Sequence, residues 1–511
     1  MRGKNNLRWL CYFCTKRGSS CLLLMIILSV ALCASVVGIA SAAAEEEKKE
    51  IQIGVLVDLS GPLTTYGENI RECCEIAKDD INKYFEQRGL NYSVELFVED
   101  TRADPKIALD KVMALHGRGV RLIVGPMGSG EVKNVLSYVT SQKIIIISPS
   151  STAMPKMLGV TEPEEKKYVF RFVALDTFQT KAIAKELSDL GIKAVCIAYL
   201  GNAWGKGLRD SIIPELEKYG IEVASPQIEY PDPPPADFSP YIATLEGELS
   251  ELFKKYSPEE VAVVTFSYEE AFTMLSQVSE GSPMLSVVWV GCDGTARSEK
   301  ISEMCEKANT VRVYSTMFES KGAGYEALNK TFSELYGGTP HQYGMNAYDA
   351  VWVLALSYAE VCDKLGEYDA DEMAKTIPMV TKNYSEGEYG VETVSGYIEL
   401  DDFNDRASGD YAIYYVENCS WKKAGIWKYE TGEIEWLITP TKPKAALPTP
   451  PPTPTPPTPT PTPTPPTFIS PTPTLPLTPT PLTPTPTPPG FESLFAFISV
   501  AVVVIVLRKC S

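Results

Sequence analysis

The chain has 511 residues, too many for one ordinary domain, and carries a formal net charge of −18 with only two His. So acidic a balance argues against nucleic acid, which calls for a basic face, and no nucleic-acid partner is expected. His116 and His341 stand far apart with no Cys pair beside either, and no Ser-His, Cys-His or metal-ligand cluster is present, so neither a cofactor nor an enzymatic activity is expected.

In chain order, residues 1–44 read as a targeting segment. Arg2, Lys4, Arg8, Lys16 and Arg17 form a basic front, Cys21–Ala34 is apolar, and Ala40–Ala44 offers small-residue cleavage sites. An uncleaved anchor is the alternative. Residues 51–173 then follow a strand–helix rhythm. Ile51–Asp58 predicts a strand, and Tyr66–Gln87 an amphipathic helix with Ile70, Cys74, Ala77, Ile81 and Tyr84 on one face. Val94–Glu99 is the next strand, and Asp104-Pro105 opens the next helix.

Val120–Thr152 is the most informative stretch. The apolar, β-branched runs Val120–Val124 and Ile144–Ile147 have the length of buried parallel strands, and Glu131–Ser141 between them predicts a helix. Small residues follow each strand: Gly125-Pro126-Met127-Gly128-Ser129-Gly130 and Ser148-Pro149-Ser150-Ser151-Thr152. Ligands of open parallel sheets sit at the carboxyl ends of strands, and bare amides and hydroxyls there suit a small carboxylate.

The rhythm restarts after Phe170. Helices are predicted over Thr177–Leu190, Gly205–Tyr219, Asp237–Lys255 and Glu269–Gln277. Strands are predicted over Ala194–Tyr199, Ile221–Glu229, Val261–Phe266 and Val287–Val290. Gly322–Tyr336 and Tyr343–Leu365 read as further helices, and Tyr411–Val416 with Ala424–Tyr429 as a closing antiparallel hairpin. Two successive α/β halves imply two doubly wound lobes. Seven Cys lie in this body, Cys73, Cys74, Cys196, Cys292, Cys305, Cys362 and Cys419, an odd number that leaves at least one thiol unpaired. Cys292 and Cys305 are near enough in sequence to close a short loop, though no spacing is diagnostic.

From 438 to 489 the composition changes: 23 of the 40 Pro lie between Pro440 and Pro489, mostly as Thr-Pro repeats. Such a segment favours polyproline II and forms no core. Phe491–Leu507 is an apolar run followed by Arg508 and Lys509, just long enough to span a bilayer with the tail inside and the body outside.

Several strand-end motifs in this order resemble the type I periplasmic binding proteins, specifically the leucine/isoleucine/valine-binding branch of ABC-importer solute receptors, over roughly residues 50–430. They are Ser60-Gly61-Pro62-Leu63 with Tyr66-Gly67, Val124-Gly125-Pro126 with Ser129, and Ile147–Thr152. Further on come Trp204-Gly205-Lys206-Gly207, Asp237-Phe238-Ser239, Gly291-Cys292-Asp293-Gly294 and Tyr348-Asp349-Ala350. The resemblance implies an α/β fold of two Rossmann-like lobes joined by three crossovers, with ligand in the cleft. On that plan 45–173 and 317–395 form the first lobe, 174–316 the second, and 396–437 its closing strands.

The same resemblance implies roles for particular residues. Ser129 and the Thr152 backbone would hold a ligand carboxylate. The Ser150 carbonyl, the Thr152 hydroxyl and Asp293 would hold an α-ammonium, and Tyr66, Trp204, Tyr268 and Tyr343 would wall the side-chain pocket. An amino-acid zwitterion needs donors at one end and a carboxylate at the other, which agrees. The sequence departs from the family where Ala103 and Gly128 stand in place of the usual disulfide near the first cleft turn, and where Trp204 replaces a common Tyr. The end, Pro489-Gly490-Phe491-Glu492 before the apolar run, resembles the PGF-type sorting signal of archaeal surface proteins, whose tail over 490–511 is removed and replaced by lipid. A retained membrane span is the alternative.

The function implied is a receptor on the outer face of the cell membrane, anchored at its C-terminus, that passes an amino acid, branched-chain or related, to ABC permease and ATPase subunits. Alternatives are a ligand-sensing ectodomain, for which only Arg508–Ser511 would remain inside, or a receptor for an amide or small carboxylate.

Overall fold

The computed structural model describes residues 48–443, which fall within one compact unit. The targeting segment 1–44, residues 444–489 of the Thr-Pro segment and the C-terminal segment 490–511 lie outside the described residues. Among the described residues no helix is long and apolar enough to cross a membrane.

Two sheets organise the chain. The first contains β1 (Lys49–Val57), β2 (Tyr92–Asp100), β3 (Leu122–Val124), β4 (Ile145–Ser148), β5 (Val169–Ala174) and, from far along the chain, β12 (Asp405–Arg406). Its order is β12-β5-β4-β3-β1-β2 and every pairing is parallel. The second contains β6 (Ala194–Leu200), β7 (Glu222–Val223), β8 (Ile228–Tyr230), β9 (Val261–Phe266), β10 (Val288–Gly291), β11 (Val313–Glu319), β13 (Asp410–Glu417), β14 (Ser420–Trp427) and β15 (Ile434–Trp436). Its order is β15-β14-β13-β11-β10-β9-β6-β7, with β8 also on β6. The pairings from β11 outward through β13, β14 and β15 are antiparallel.

The apolar runs form strands because helices cover them. Every residue of β3, β4, β5, β6, β9 and β10 is buried, as expected of parallel strands covered by helices. In the first lobe the helix Gln342–Leu365 packs on the helix Thr64–Gln87 and touches β1, β3, β4 and β5. The helix Pro105–Gly117 starts where the Asp104 side chain accepts from Lys106 and Ile107 N–H with Pro105 in the first turn, as its sequence predicts.

The chain crosses between sheets after Ala174, after Glu319 and between Arg406 and Asp410. These are the two lobes and three crossovers that the resemblance implies. The last crossing differs from the expected plan. The plan implied by the resemblance puts 396–437 wholly in the second lobe, whereas Asp405–Arg406 pair with β5 in the first sheet, where Arg171 and Lys166 hold Asp405.

Three further details depart from the sequence reading. The strand expected over Ile221–Glu229 is broken into β7 and β8 around Ser225-Pro226, where Pro226 has no N–H to give a ladder. A helix over Ala370–Ser385, absent from the elements read above, packs on Gln342–Leu365. Cys305 bonds Cys419, with Cα atoms 4.8 Å apart, and Cys292 is a buried free thiol, so the short Cys292–Cys305 loop does not form.

Candidate functional site

The strand ends of the two sheets face one another across the cleft. On the first lobe a network of small side chains fixes the loops after β3 and β4. Ser148 Oγ donates to the Pro126 carbonyl at 2.7 Å, and Ser150 Oγ donates to the Met127 carbonyl at 3.1 Å. Ser129, at the start of the helix Ser129–Gln142, accepts from Ala153 N–H and from Ser151 Oγ. Its own hydroxyl proton is then left to donate elsewhere. Behind the loop, Arg171 Nη1 donates to the carbonyls of Ser151 and Ala153.

On the second lobe, Asp293 follows β10 and Trp204 opens the helix Ala203–Lys218. That helix is capped by Asn202, whose side chain accepts from Trp204 and Gly205 N–H. Trp204 stacks on Tyr268 with ring centroids 4.6 Å apart. Gly294 lies under the stack: a Cβ there would meet the Ser267 carbonyl oxygen at 2.4 Å and the Trp204 ring at 2.9 Å. Contacts cross the cleft as well. Tyr343 donates to Asp293 Oδ2 at 2.5 Å, Tyr66 donates to the Ala296 carbonyl at 2.9 Å, and Thr65 donates to Glu269 at 2.6 Å.

Tyr66, Ser129, Ser150, Trp204, Tyr268, Asp293 and Tyr343 line one cavity with Leu63, Met127, Gly128 and Gly294. Its volume is ≈ 20 Å³, room for about one water, so a ligand of amino-acid size requires these walls to move apart. Of the eight residues singled out in the sequence only Thr152 is not in this lining. It is buried just behind, and its carbonyl accepts from Asp176 N–H at 2.9 Å. A wider cavity of ≈ 740 Å³ is lined from both lobes by Thr64, Thr65, Glu269, Arg297 and Trp421 among others, and by none of those eight.

Sequence reasoning missed Asp176. It begins the helix Asp176–Asp189 directly after the first crossing, is fully buried, and has neither carboxylate oxygen hydrogen-bonded. Burial, and then the charge of Asp293, push its carboxyl well above the ordinary range, although the nearby Thr152 hydroxyl and Arg171 work the other way. The Thr152 hydroxyl stands close enough for this without completing a hydrogen bond. Asp293 is also raised by burial, opposed by the Tyr343 and Gln179 side chains, and its Oδ1 has no partner. Two buried carboxyls thus influence each other with three oxygens unpaired among the described residues. In sequence, Asp176-Thr177 reads as an ordinary helix start, and only the fold brings it beside Asp293. Among the described residues no group of His, Cys, Asp and Glu is arranged to hold a metal ion.

Residues 50–419 match the family model described as periplasmic binding protein. The chain belongs to this family. It is 49% identical over 388 residues to an uncharacterized protein of Methanocaldococcus jannaschii, covering 76% of this chain and 91% of that one. It is 30% identical to the Leu/Ile/Val-binding protein BraC3 of Rhizobium johnstonii, over 41% of this chain and 56% of that one. It is 28% identical to the chemotactic signal transduction system substrate-binding protein BasB of Halobacterium salinarum, over 32% and 41%. Among solved structures, the branched-chain amino acid transporter substrate-binding protein LivJ of Streptococcus pneumoniae in complex with isoleucine aligns with a TM-score of 0.57 at 21% identity, covering 76% of this chain and 100% of that one. A solute-binding protein of an ABC transporter from R. palustris in complex with benzoate aligns with a TM-score of 0.59 at 14% identity, covering 74% and 96%. As a periplasmic binding protein the chain is a solute-binding protein related to branched-chain amino-acid binders, and the cleft between lobes is its candidate ligand site.

Proposed function

We propose that the protein is a surface-anchored receptor that captures an α-amino acid, branched-chain or related, between its lobes and delivers it to the permease and ATPase subunits of an ABC importer. The observation that carries this reading is the buried pair Asp176 and Asp293, with three unpaired carboxylate oxygens behind a cavity into which Ser129 has a hydroxyl to donate. Carboxylates taken out of water without a cation are costly, and an ammonium brings one positive charge with three donors. The ligand carboxylate would meet Ser129 and the Thr152 N–H, the ammonium Asp293, Asp176, the Thr152 hydroxyl and the Ser150 carbonyl. Tyr66, Trp204, Tyr268 and Tyr343 would surround the side chain. The likeness to Leu/Ile/Val-binding proteins supports the same class of ligand. Anchoring at the C-terminus on the outer face of the membrane rests on the sequence of 438–511 alone.

The test is a thermal-shift and calorimetric screen of the soluble body against amino acids and their amine-free counterparts. A tight ligand stabilises by RT ln(1 + [L]/Kd). The reading expects the best ligand to be an α-amino acid. A best ligand without an amine would overturn it in favour of a small carboxylate or amide, the class to which the benzoate-bound neighbour points. Similarity to the chemotactic protein BasB favours one second reading, that the loaded receptor reports to a signalling partner. Loss of amino-acid uptake in cells lacking the protein would favour delivery, and loss of taxis with intact uptake would favour sensing.

A further inference from the structure

Four Asn-X-Ser/Thr triplets occur in the sequence: Asn91-Tyr92-Ser93, Asn329-Lys330-Thr331, Asn383-Tyr384-Ser385 and Asn418-Cys419-Ser420. Such a triplet, with X other than Pro, is the acceptor for N-linked sugar in exported proteins. The structure separates the four. Tyr92 and Tyr384, the middle residues of two of them, are 4% and 1% exposed and are held by hydrogen bonds to Asp363 and Asp349. Asn329 lies inside the helix Tyr325–Leu335 with its side-chain oxygen buried. Asn418, Cys419 and Ser420 are all exposed.

Asn418 and Cys419 are the two central residues of the hairpin between β13 and β14, with φ of 51° and 62°, flanked by the pair Glu417 and Ser420. A two-residue hairpin turn with both residues in the left-handed region favours Asn at the first position. The turn therefore accounts for Asn418, but it does not call for a hydroxyl at 420. The Cys305–Cys419 bond adds a second observation, since disulfides form and persist in oxidising, extracytoplasmic surroundings, where exported chains meet sugar transfer.

We propose that Asn418 is an N-glycosylation site at the hairpin tip of the second lobe, used in preference to Asn91, Asn329 and Asn383. The co-reactant is a sugar carried on a polyprenyl phosphate or diphosphate. The Asn418 amide nitrogen attacks the anomeric carbon, forming the C–N glycosidic bond. The bond from that carbon to the carrier phosphate oxygen breaks, the carrier leaves as its phosphate or diphosphate, and the displaced amide proton passes to solvent. No oxidation or reduction is involved. The proposal depends on export and not on the identity of the ligand.

The test uses the full chain isolated from its native cells, digested and examined by mass spectrometry. The expected result is a series of sugar masses on the peptide carrying Asn418, abolished in Asn418→Gln and in Ser420→Ala and kept in Ser420→Thr. Recovery of the disulfide-linked Cys305–Cys419 peptide from each variant shows that the hairpin has folded. An Asn418 peptide without added mass, or a sugar series that survives Ser420→Ala, overturns the proposal. Sugar on Asn91, Asn329 or Asn383 with Asn418 bare does so too.

Discussion

Arg171 grips Asp405 through two parallel hydrogen bonds, from Nε and Nη2 to separate carboxylate oxygens at 2.6 Å each, and both side chains are fully buried. Lys166 Nζ stands 2.8 Å from the same carboxylate. Because Arg171 also holds the carbonyls of Ser151 and Ala153, one cluster ties β12, beside the last crossing, to the loop that carries Ser150 and Thr152. A candidate binding loop and a candidate hinge therefore share a single buried anion.

Asp405→Asn should destabilise the body by about 3–5 kcal/mol in urea denaturation at neutral pH, because it leaves two buried cations uncompensated. Burial raises the Asp405 pKa, but Arg171 and Lys166 outweigh it and hold the group below its ordinary value of 3.8. A carboxylate with a lowered folded pKa contributes stability above its unfolded pKa and loses it as pH falls through the folded value. The gap between wild type and variant should therefore narrow in acid. Equal stability at neutral pH would mean that the cluster does not anchor the loop.

Asp176→Asn and Asp293→Asn each keep size and remove charge. If both acids hold the ligand ammonium, each should weaken an amino-acid ligand by about one to two orders of magnitude, since a hydrogen bond to a charged group is worth roughly 1.5–3 kcal/mol. Because the two carboxyls burden each other when unliganded, either substitution should leave fold stability unchanged or raised. Isothermal calorimetry and thermal melts read both effects. Wild-type affinity in both variants would remove the ammonium from this corner of the cleft.

Asp176 also marks how far the sequence could be read. The cleft loops after β3 and β4 were legible because apolar β-branched runs ending in Gly, Ser and Thr announce strand ends, and Asp293 because glycines flank it after such a run. Residues acting through distant partners gave no local signal. Asp176 resembles a helix cap until the fold sets it beside Asp293, which lies on another strand end. Arg171 sits inside an apolar strand and becomes intelligible only once Asp405 arrives from the last crossing. The Cys305–Cys419 bond spans 114 residues, a separation no spacing rule reaches.

Glu131 is buried in the first turn of its helix, where Gly128 N–H donates to it at 2.6 Å. Burial pushes its carboxyl up to about 8 from 4.5, opposed by the Thr101 side chain and that N–H. A raised folded pKa means the folded state holds the proton more tightly, so its contribution to stability is greatest in acid and is lost as pH rises from about 4.5 through about 8. Glu131→Gln keeps the acceptor and removes the titration. The variant should melt above wild type at pH 8 and close to it at pH 4.5. A constant difference across that range would contradict the assignment.

The contacts Tyr66 to Ala296, Thr65 to Glu269 and Tyr343 to Asp293 join lobes that a ligand entering a ≈ 20 Å³ cavity must part. A ligand touching both lobes favours the closed state over the open one. The free protein must open to admit the ligand, so small-angle scattering should show a radius of gyration larger than that of the bridged form before ligand is added, falling toward it on saturation. In Gly294→Ala, where the new methyl presses on Trp204 and the Ser267 carbonyl, affinity should drop at least tenfold. An unchanged radius at full occupancy would count against closure.

The body does not stop at Leu437, the boundary read from composition. Tyr314 is fully buried in β11, its hydroxyl donates to the Thr441 carbonyl at 2.8 Å and accepts from Thr441 N–H at 3.0 Å. Leu437 and Ile438 N–H both donate to the Ala424 carbonyl in β14. The first residues of the Thr-Pro segment therefore dock on the second lobe, because a buried phenol without partners is unfavourable. A chain ending at residue 443 should be as stable as one carrying the whole segment. A chain ending at 437 should be less stable by about 1–3 kcal/mol, the cost of stripping a buried polar group of its partners. Tyr314→Phe should lose less on the same truncation, because it has no hydroxyl to strand. Parallel urea titrations of the two lengths in both backgrounds measure this, and equal losses in the two would show that Thr441 contributes nothing through Tyr314.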